Sequence, residues 1–193
     1  MSISAPGFAG IRRSMLFIDG QYLRRSLIDK FDDDALNYEL LVDTLRRNTS
    51  YGALYPQLIR TYYYDAMPDP NEKEKWEKQE EYLKTLRKIE YFELRLGRAK
   101  RSSHAEPLKQ KGVDTLIAID MLSKAYENHY DVAVLITGDD DFLDLVRAIK
   151  NTGKQVFGVF SEKTTSSDLK DSFDKKFDLE KIVTDIRKQA PKN

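Results

Sequence analysis

The sequence predicts an α/β fold with a mostly parallel central sheet and helices on both faces. Three observations carry this. Short runs rich in β-formers alternate with longer stretches of helical periodicity along most of the chain, the pattern of βαβ units joined by right-handed crossovers. The run 131–137 (DVAVLIT) is nearly continuous apolar and β-branched sequence, as in a central parallel strand covered on both faces. Gly20 and Gly138 follow directly on two such runs, where a strand turns into a helix.

At 193 residues, 40% apolar and 33% charged, the chain falls in the range of one globular domain. Residues 1–13 read as a flexible lead-in and 14–190 as a single domain. Lys plus Arg and Asp plus Glu both number 32, so no global field selects a polyanionic partner and any such binding needs a local patch. The absence of cysteine rules out disulfides, thiolate metal sites and a cysteine nucleophile, and fits a reducing cytoplasm, the expected location. No apolar run approaches the roughly 18 residues of a membrane span.

The elements follow in order. Residues 14–19 (SMLFID) form a buried strand ending at Gly20, and 21–28 a helix with Leu23 and Leu27 on one face. Asp32, Asp33 and Asp34 fall in a solvated loop, and 38–46 form a second helix. The run 58–64 (LIRTYYY) is a strand that stops before the turn signal Met67-Pro68-Asp69-Pro70. A charged helix covers 71–88. The alternation of 91–96 (YFELRL) marks a half-exposed strand, whose edge would allow sheet-edge pairing into a homodimer. A polar stretch, 97–112, leads to a helix over 113–127, the strand at 131–137, a helix over 139–151 ended by Gly153, and a strand at 155–160. Residues 166–176 and 179–189 read as helices.

In an open α/β sheet, ligands bind beyond the carboxyl ends of the strands. Two strands deliver acids there: Asp19 after MLFI, and Asp139, Asp140 and Asp141 after VLITG. The helix from Val113 adds Asp114 in its first turn. If the first strand and the strand at 131 are neighbours, Asp19, Asp114, Asp139 and Asp141 converge on one pocket, with Asp139 and Asp141 preferred over Asp140. Clustered carboxylates raise one another's pKa, and a hard divalent cation such as Mg²⁺ or Mn²⁺ removes that conflict while keeping positions open for a phosphate. Acids in the first turn also cap helices, which alone accounts for Asp114 and the triple Asp. Asp19 is harder to explain that way, because an acid ending a buried strand has few structural duties. Asp120 lies beside the apolar stripe of its helix and needs a partner: a neighbouring base, or a place behind the metal ligands. His104 and His129 read as loop bystanders, and neither a glycine-rich phosphate loop nor a GxGxxG fingerprint is present.

Between Arg95 and Lys111 six bases face one acid, Glu106. Arg98, Lys100, Arg101, Lys109 and Lys111 would sit beside the acidic pocket and hold the phosphates of a polyanion, with Arg12, Arg13, Arg24 and Arg25 adding to them. Tyr62, Tyr63 and Tyr64 offer stacking surface, although strand tyrosines more often serve the core.

FIDGQYL, KGVDTLIAIDMLSKAYENHYDVAVLITGDDDF and GKQVFGVF resemble the NYN domains of the LabA-like family, a branch of the PIN-like nucleases, over about residues 15–182. The resemblance implies a PIN-like Rossmannoid fold and metal-dependent cleavage of RNA. It matches Asp19 to the acid of FIDG, Asp114 to that of KGVD, and Asp139 and Asp141 to those of the (S/T)GDxDF motif. It places Asp120, and Ser166 and Asp174 in the closing stretch, at supporting polar positions. The family commonly has asparagine two residues after FIDG, where this chain has Tyr22. The expected function is a Mg²⁺- or Mn²⁺-dependent ribonuclease. Its rivals are a catalytically weak regulator that binds RNA or a protein partner, and a small-molecule phosphohydrolase with the same metal logic.

Overall fold

Strands that are apolar on both faces are buried only when helices cover both sides of their sheet, and that is the arrangement formed. A computed structural model describes residues 12–50, 56–100 and 109–189. In chain order the elements are β1 (Arg13–Asp19), α1 (Gly20–Phe31), α2 (Tyr38–Asn48), β2 (Gln57–Ala66), α3 (Lys73–Leu86), β3 (Phe92–Lys100) and β4 (Lys109–Lys111). They continue with α4 (Val113–Tyr126), β5 (Val132–Ile136), a 3₁₀ turn (Asp140–Phe142), α5 (Leu143–Asn151), β6 (Gln155–Phe160), α6 (Ser167–Ser172), β7 (Lys175–Asp178) and α7 (Leu179–Gln189).

The sheet runs β4-β3-β2-β1-β5-β6-β7. Six strands are parallel, and the short β4 adds antiparallel to β3 at one edge. Period-two alternation splits the core. Leu16, Ile18, Tyr63, Val134 and Val159 point to the layer formed by α1, α2, α3 and α7. Phe17, Tyr62, Tyr64, Leu135 and Phe160 point to α4, α5 and α6. From β1 the chain winds outward through β2 and β3, then returns to add β5 on the other side of β1. That reversal leaves a crevice at the carboxyl ends of β1 and β5.

Two predicted elements differ. Residues 175–178 belong to strand β7 and not to a helix running to residue 176. Phe173 turns out of α6 to stack on Phe160 at 5.7 Å, and the chain then pairs with β6 from Phe157↔Lys175 to Phe160↔Asp178. Four residues containing two lysines carry no readable period, as befits a short charged edge strand. The stretch predicted as polar loop contains the end of β3 and all of β4, which pair only over Arg98–Lys100. Within the helix predicted at 139–151, the first turn is 3₁₀.

Tyr62, Tyr63 and Tyr64 are core residues, at most 6% exposed, which corrects their reading as a stacking platform. Tyr63 crosses Gly20 so closely that a Cβ there would lie 2.3 Å from its ring. Beside it, at the end of β2, the fully buried Asp65 accepts from Arg24 at 2.8 Å and from Gln79 at 3.0 Å. Removing one partner of such a pair leaves an uncompensated buried charge, at a cost of about 3–5 kcal/mol. Arg24→Met is expected to destabilise the protein by about 3 kcal/mol in urea unfolding, the low end because the Arg24 side chain is 23% exposed. Adding Asp65→Leu to that variant should recover most of the loss; a double variant no more stable than the single one would contradict the pairing.

Candidate active site

Asp19 is the last residue of β1 and the N-cap of α1. Its Oδ1 accepts from the Tyr22 amide at 3.0 Å, and its Oδ2 from the Thr137 hydroxyl at 3.4 Å. Register explains the second contact: β1 and β5 pair up to Ile18↔Ile136, so Thr137 comes next to Asp19. The Thr137 hydroxyl also accepts from the Asp139 amide at 3.3 Å. Asp139 caps the 3₁₀ turn, its Oδ1 accepting from the Asp141 amide at 3.0 Å. Asp114 stands in the first turn of α4, which begins after Gly112 in a left-handed conformation (φ 97°). Asp19, Asp114 and Asp139 line one cavity of about 520 Å³ at the crevice, together with residues of α1, the β6–α6 loop and the start of α7. The exposed Asp141 adjoins it through its bond to Asp139.

The electrostatics are those of an unneutralised cluster. Burial pushes the Asp19 carboxyl up from its usual 3.8 to about 6; the Tyr22 amide and Thr137 hydroxyl oppose the rise, while Asp114 and Asp139 add to it. Asp114 is raised as well, by burial first and then by Asp139 and Asp141. No basic side chain within the described residues pairs with Asp19. Its donor set, carboxylate and hydroxyl oxygens, is one that a hard cation takes. Among the described residues no three acidic or imidazole side chains form a ready metal cage. The arrangement therefore suits an ion held by one or two carboxylates with water completing its shell, the common mode for magnesium.

Other predicted site residues fall elsewhere. Asp120 accepts from Tyr64 at 3.0 Å and from Lys124 at 2.7 Å, with Arg95 at 3.3 Å; it is partnered, and does not line the cavity. Ser166 caps α6 and donates to Asp140, so Asp140 and not Asp139 or Asp141 is the acid it touches. Asp174 accepts from the Val156 amide at 2.8 Å and pairs with Lys150 at 3.0 Å. Val156 is near the amino end of β6, so Asp174 is at the pole of the sheet opposite the cavity. Arg13 is at that same pole, paired with Asp131, as is Arg12, bonded to Gln155. Arg24 is committed to Asp65, whereas Arg25 lines the cavity. Arg101 and His104 lie outside the described residues, as do the side chains of Arg98, Lys100, Lys109 and Lys111. His129 is exposed beside Glu127.

Several lining residues had no sequence signal of their own. The Tyr22 hydroxyl accepts from the Ser161 amide at 2.8 Å, and its ring lies over Gly138, where a Cβ would come within 2.5 Å of it. Ser161 in turn donates to Glu180 at 3.0 Å. A tyrosine thus occupies the position where the resemblance led us to expect asparagine, joining α1 to the ends of β5 and β6. Arg25, expected from the sequence to help hold phosphates, lines the cavity on the same face of α1 as Tyr22 and Asp29, and helical spacing from Asp19 would have found Asp29.

Raising a carboxyl's pKa on folding costs stability only where the unfolded group is ionised. The cost is absent below about pH 4, grows as pH rises toward the folded value of about 6, and is complete above it. Asp19→Asn keeps an oxygen for the Tyr22 amide. In EDTA it is expected to raise stability by on the order of 2 kcal/mol at about pH 7.5 and to change it little at about pH 4. Urea unfolding at the two pH values tests this, and an equal effect at both would refute it.

Comparisons with known proteins bear on the family and the fold. The family model for the NYN domain matches residues 13–180. A protein of unknown function from Vibrio parahaemolyticus has a similar crystal structure, with a TM-score of 0.69 and 19% identity over 88% of this chain and 93% of that one, which speaks to the fold alone. No curated protein matches. With the parallel sheet and the crevice at its carboxyl ends, the match over most of the chain establishes that this protein belongs to the NYN domain family, a PIN-like nuclease family.

Proposed function

We propose that this protein is a Mg²⁺- or Mn²⁺-dependent ribonuclease of the LabA-like branch, hydrolysing RNA phosphodiester bonds at Asp19, Asp114, Asp139 and Asp141. One observation supports this most: Asp19, 8% exposed at the point where the strand order reverses, has two acids beside it and no basic side chain paired with it among the described residues. Asp65, ending the next strand, shows what a structural acid looks like here, since Arg24 and Gln79 neutralise and bond it.

Asp19 and Asp139 each give one oxygen to a backbone amide, which fixes the carboxylate plane; the second oxygen of Asp19 takes only the long contact from Thr137 at 3.4 Å. Thr137 ties the two together, accepting from the Asp139 amide while donating to Asp19. Mg²⁺ or Mn²⁺ held by these acids would supply charge neutralisation on the phosphate and acidify an attacking water. Asp114, across the cavity, adds negative charge that draws a cation to this end. Ser166 holds Asp140 out of the set.

A second reading, an RNA-binding regulator with little turnover, draws on Tyr22 in the family's asparagine position and on the lack of a ready three-ligand cage among the described residues. Gel assays of labelled RNA with Mg²⁺, Mn²⁺ or EDTA separate the two. The wild type should release products only with metal, and Asp19→Asn and Asp139→Asn should fall to background. RNA bound without products would favour the regulator. Metal at 100 times its dissociation constant adds about 2.7 kcal/mol, a rise in Tm of several degrees for a domain of this size. That rise should vanish in Asp139→Asn, and its persistence there would remove Asp139 from the metal site.

A further inference from the structure

The cavity does not stop at the acids. Tyr22, Arg25, Ser26 and Asp29 all line it and recur at helical spacing, so it follows one face of α1 from Asp19 to Lys30. At 1.5 Å per residue that is a trough of roughly 16 Å, far longer than one phosphate group needs. Its far end is closed by an ion pair between Lys30 and Glu180 at 3.1 Å. Glu180 is further satisfied by Ser161, so that end presents little free charge.

Two exposed cations also line the cavity, Arg25 on α1 and Lys163 on the β6–α6 loop, and the charge of Lys163 helps to hold Glu180 ionised. Neither makes a hydrogen bond or ion pair among the described residues. Arg25 stays unpaired although Asp29 is one helical turn away, at a spacing that commonly yields a pair. Elsewhere on the surface bases do find acids, as Arg147 finds Asp144 and Arg187 finds Asp33. Cations with no bonded acid of their own, in a cavity beside a carboxylate cluster, suit an anion that enters alongside the metal.

We propose that Arg25 and Lys163 form a phosphate subsite, so that single-stranded RNA lies along α1 with a phosphate flanking the scissile one held between them. The inference rests on the nuclease reading only for the position of the scissile phosphate. It puts the backbone of the bound strand on the α1 side of the crevice.

The test is fluorescence anisotropy of a short labelled single-stranded RNA in Ca²⁺ across a salt series. The proteins are the wild type, Arg25→Gln/Lys163→Gln and, as a single-charge control outside the cavity, Arg147→Gln. Each phosphate contact contributes about 0.7 to the log–log salt slope for single strands. The double variant should bind roughly tenfold more weakly, with a slope shallower by about 0.7, while Arg147→Gln behaves as wild type. Equal affinity and slope in the double variant and wild type would overturn the subsite, as would equal losses in the Arg147 control. Hydrolysis of bis(4-nitrophenyl) phosphate, which has no flanking phosphate, reads the acid site separately and should be unaffected in the double variant. RNA binding with the expected slope change but no hydrolysis of either substrate by the wild type would support the subsite and refute the nuclease. Hydrolysis with no slope change would do the reverse.

Discussion

Everything at the crevice depends on the parallel pairing of β1 with β5. Because these strands are neighbours in space and far apart in sequence, their carboxyl ends deliver Asp19 and Thr137 side by side, and Asp139 two residues on. The pairing also sets where helices start. α1 begins at Gly20 and the 3₁₀ turn at Asp140, so both acids sit at the positive ends of backbone dipoles. Both acids do serve as caps, and capping does not use the whole of either carboxylate. A cap needs one oxygen of a carboxylate, and each of these acids has two.

The contrast between Asp19 and Asp65 gives the site its energetic character. Both are buried acids ending adjacent parallel strands, and burial raises the pKa of both. At Asp65 the fold supplies a guanidinium and an amide, closing an internal network with the Tyr38, Tyr63 and Tyr82 hydroxyls nearby. At Asp19 the neighbours are two more carboxylates. A sequence selected for stability alone would not leave that conflict unrelieved, and tension of this kind is characteristic of functional sites.

The legible parts of the sequence were those with a strong period or a hard stop. VAVLI, MLFI and QVFGVF read as buried strands because nearly every residue is apolar, and Gly20 and Gly138 marked their ends. β4 and β7, with three and four residues, are set by pairing with a neighbour and leave no local trace. The acids of the site were visible as types at strand ends, but their meaning was not. The argument that an acid ending a buried strand has few structural duties applied equally to Asp65, where it fails. What distinguishes the two is Arg24, which a linear reading assigned to a surface patch, and whose side chain reaches Asp65 only because α1 packs across β2. Asp174 was misplaced for a related reason: it leaves α6 at the turn into β7, an element the sequence did not reveal, and so ends at the opposite pole.

Tyr22 shows how a change at one position is absorbed by its surroundings. Its ring needs the space over Gly138, and no side chain could stand there without displacing it. Its hydroxyl takes the Ser161 amide, which would otherwise be left at the end of β6 with one partner fewer. Its own amide holds Asp19. One residue thus bonds the first acid of the cluster through its backbone and braces the two loops of the crevice through its side chain. A short amide at this position could not span from α1 to Ser161, so the tyrosine exchanges a polar group facing the acids for a rigid wall. Beside that wall the cavity runs along α1, where Arg25 lines it.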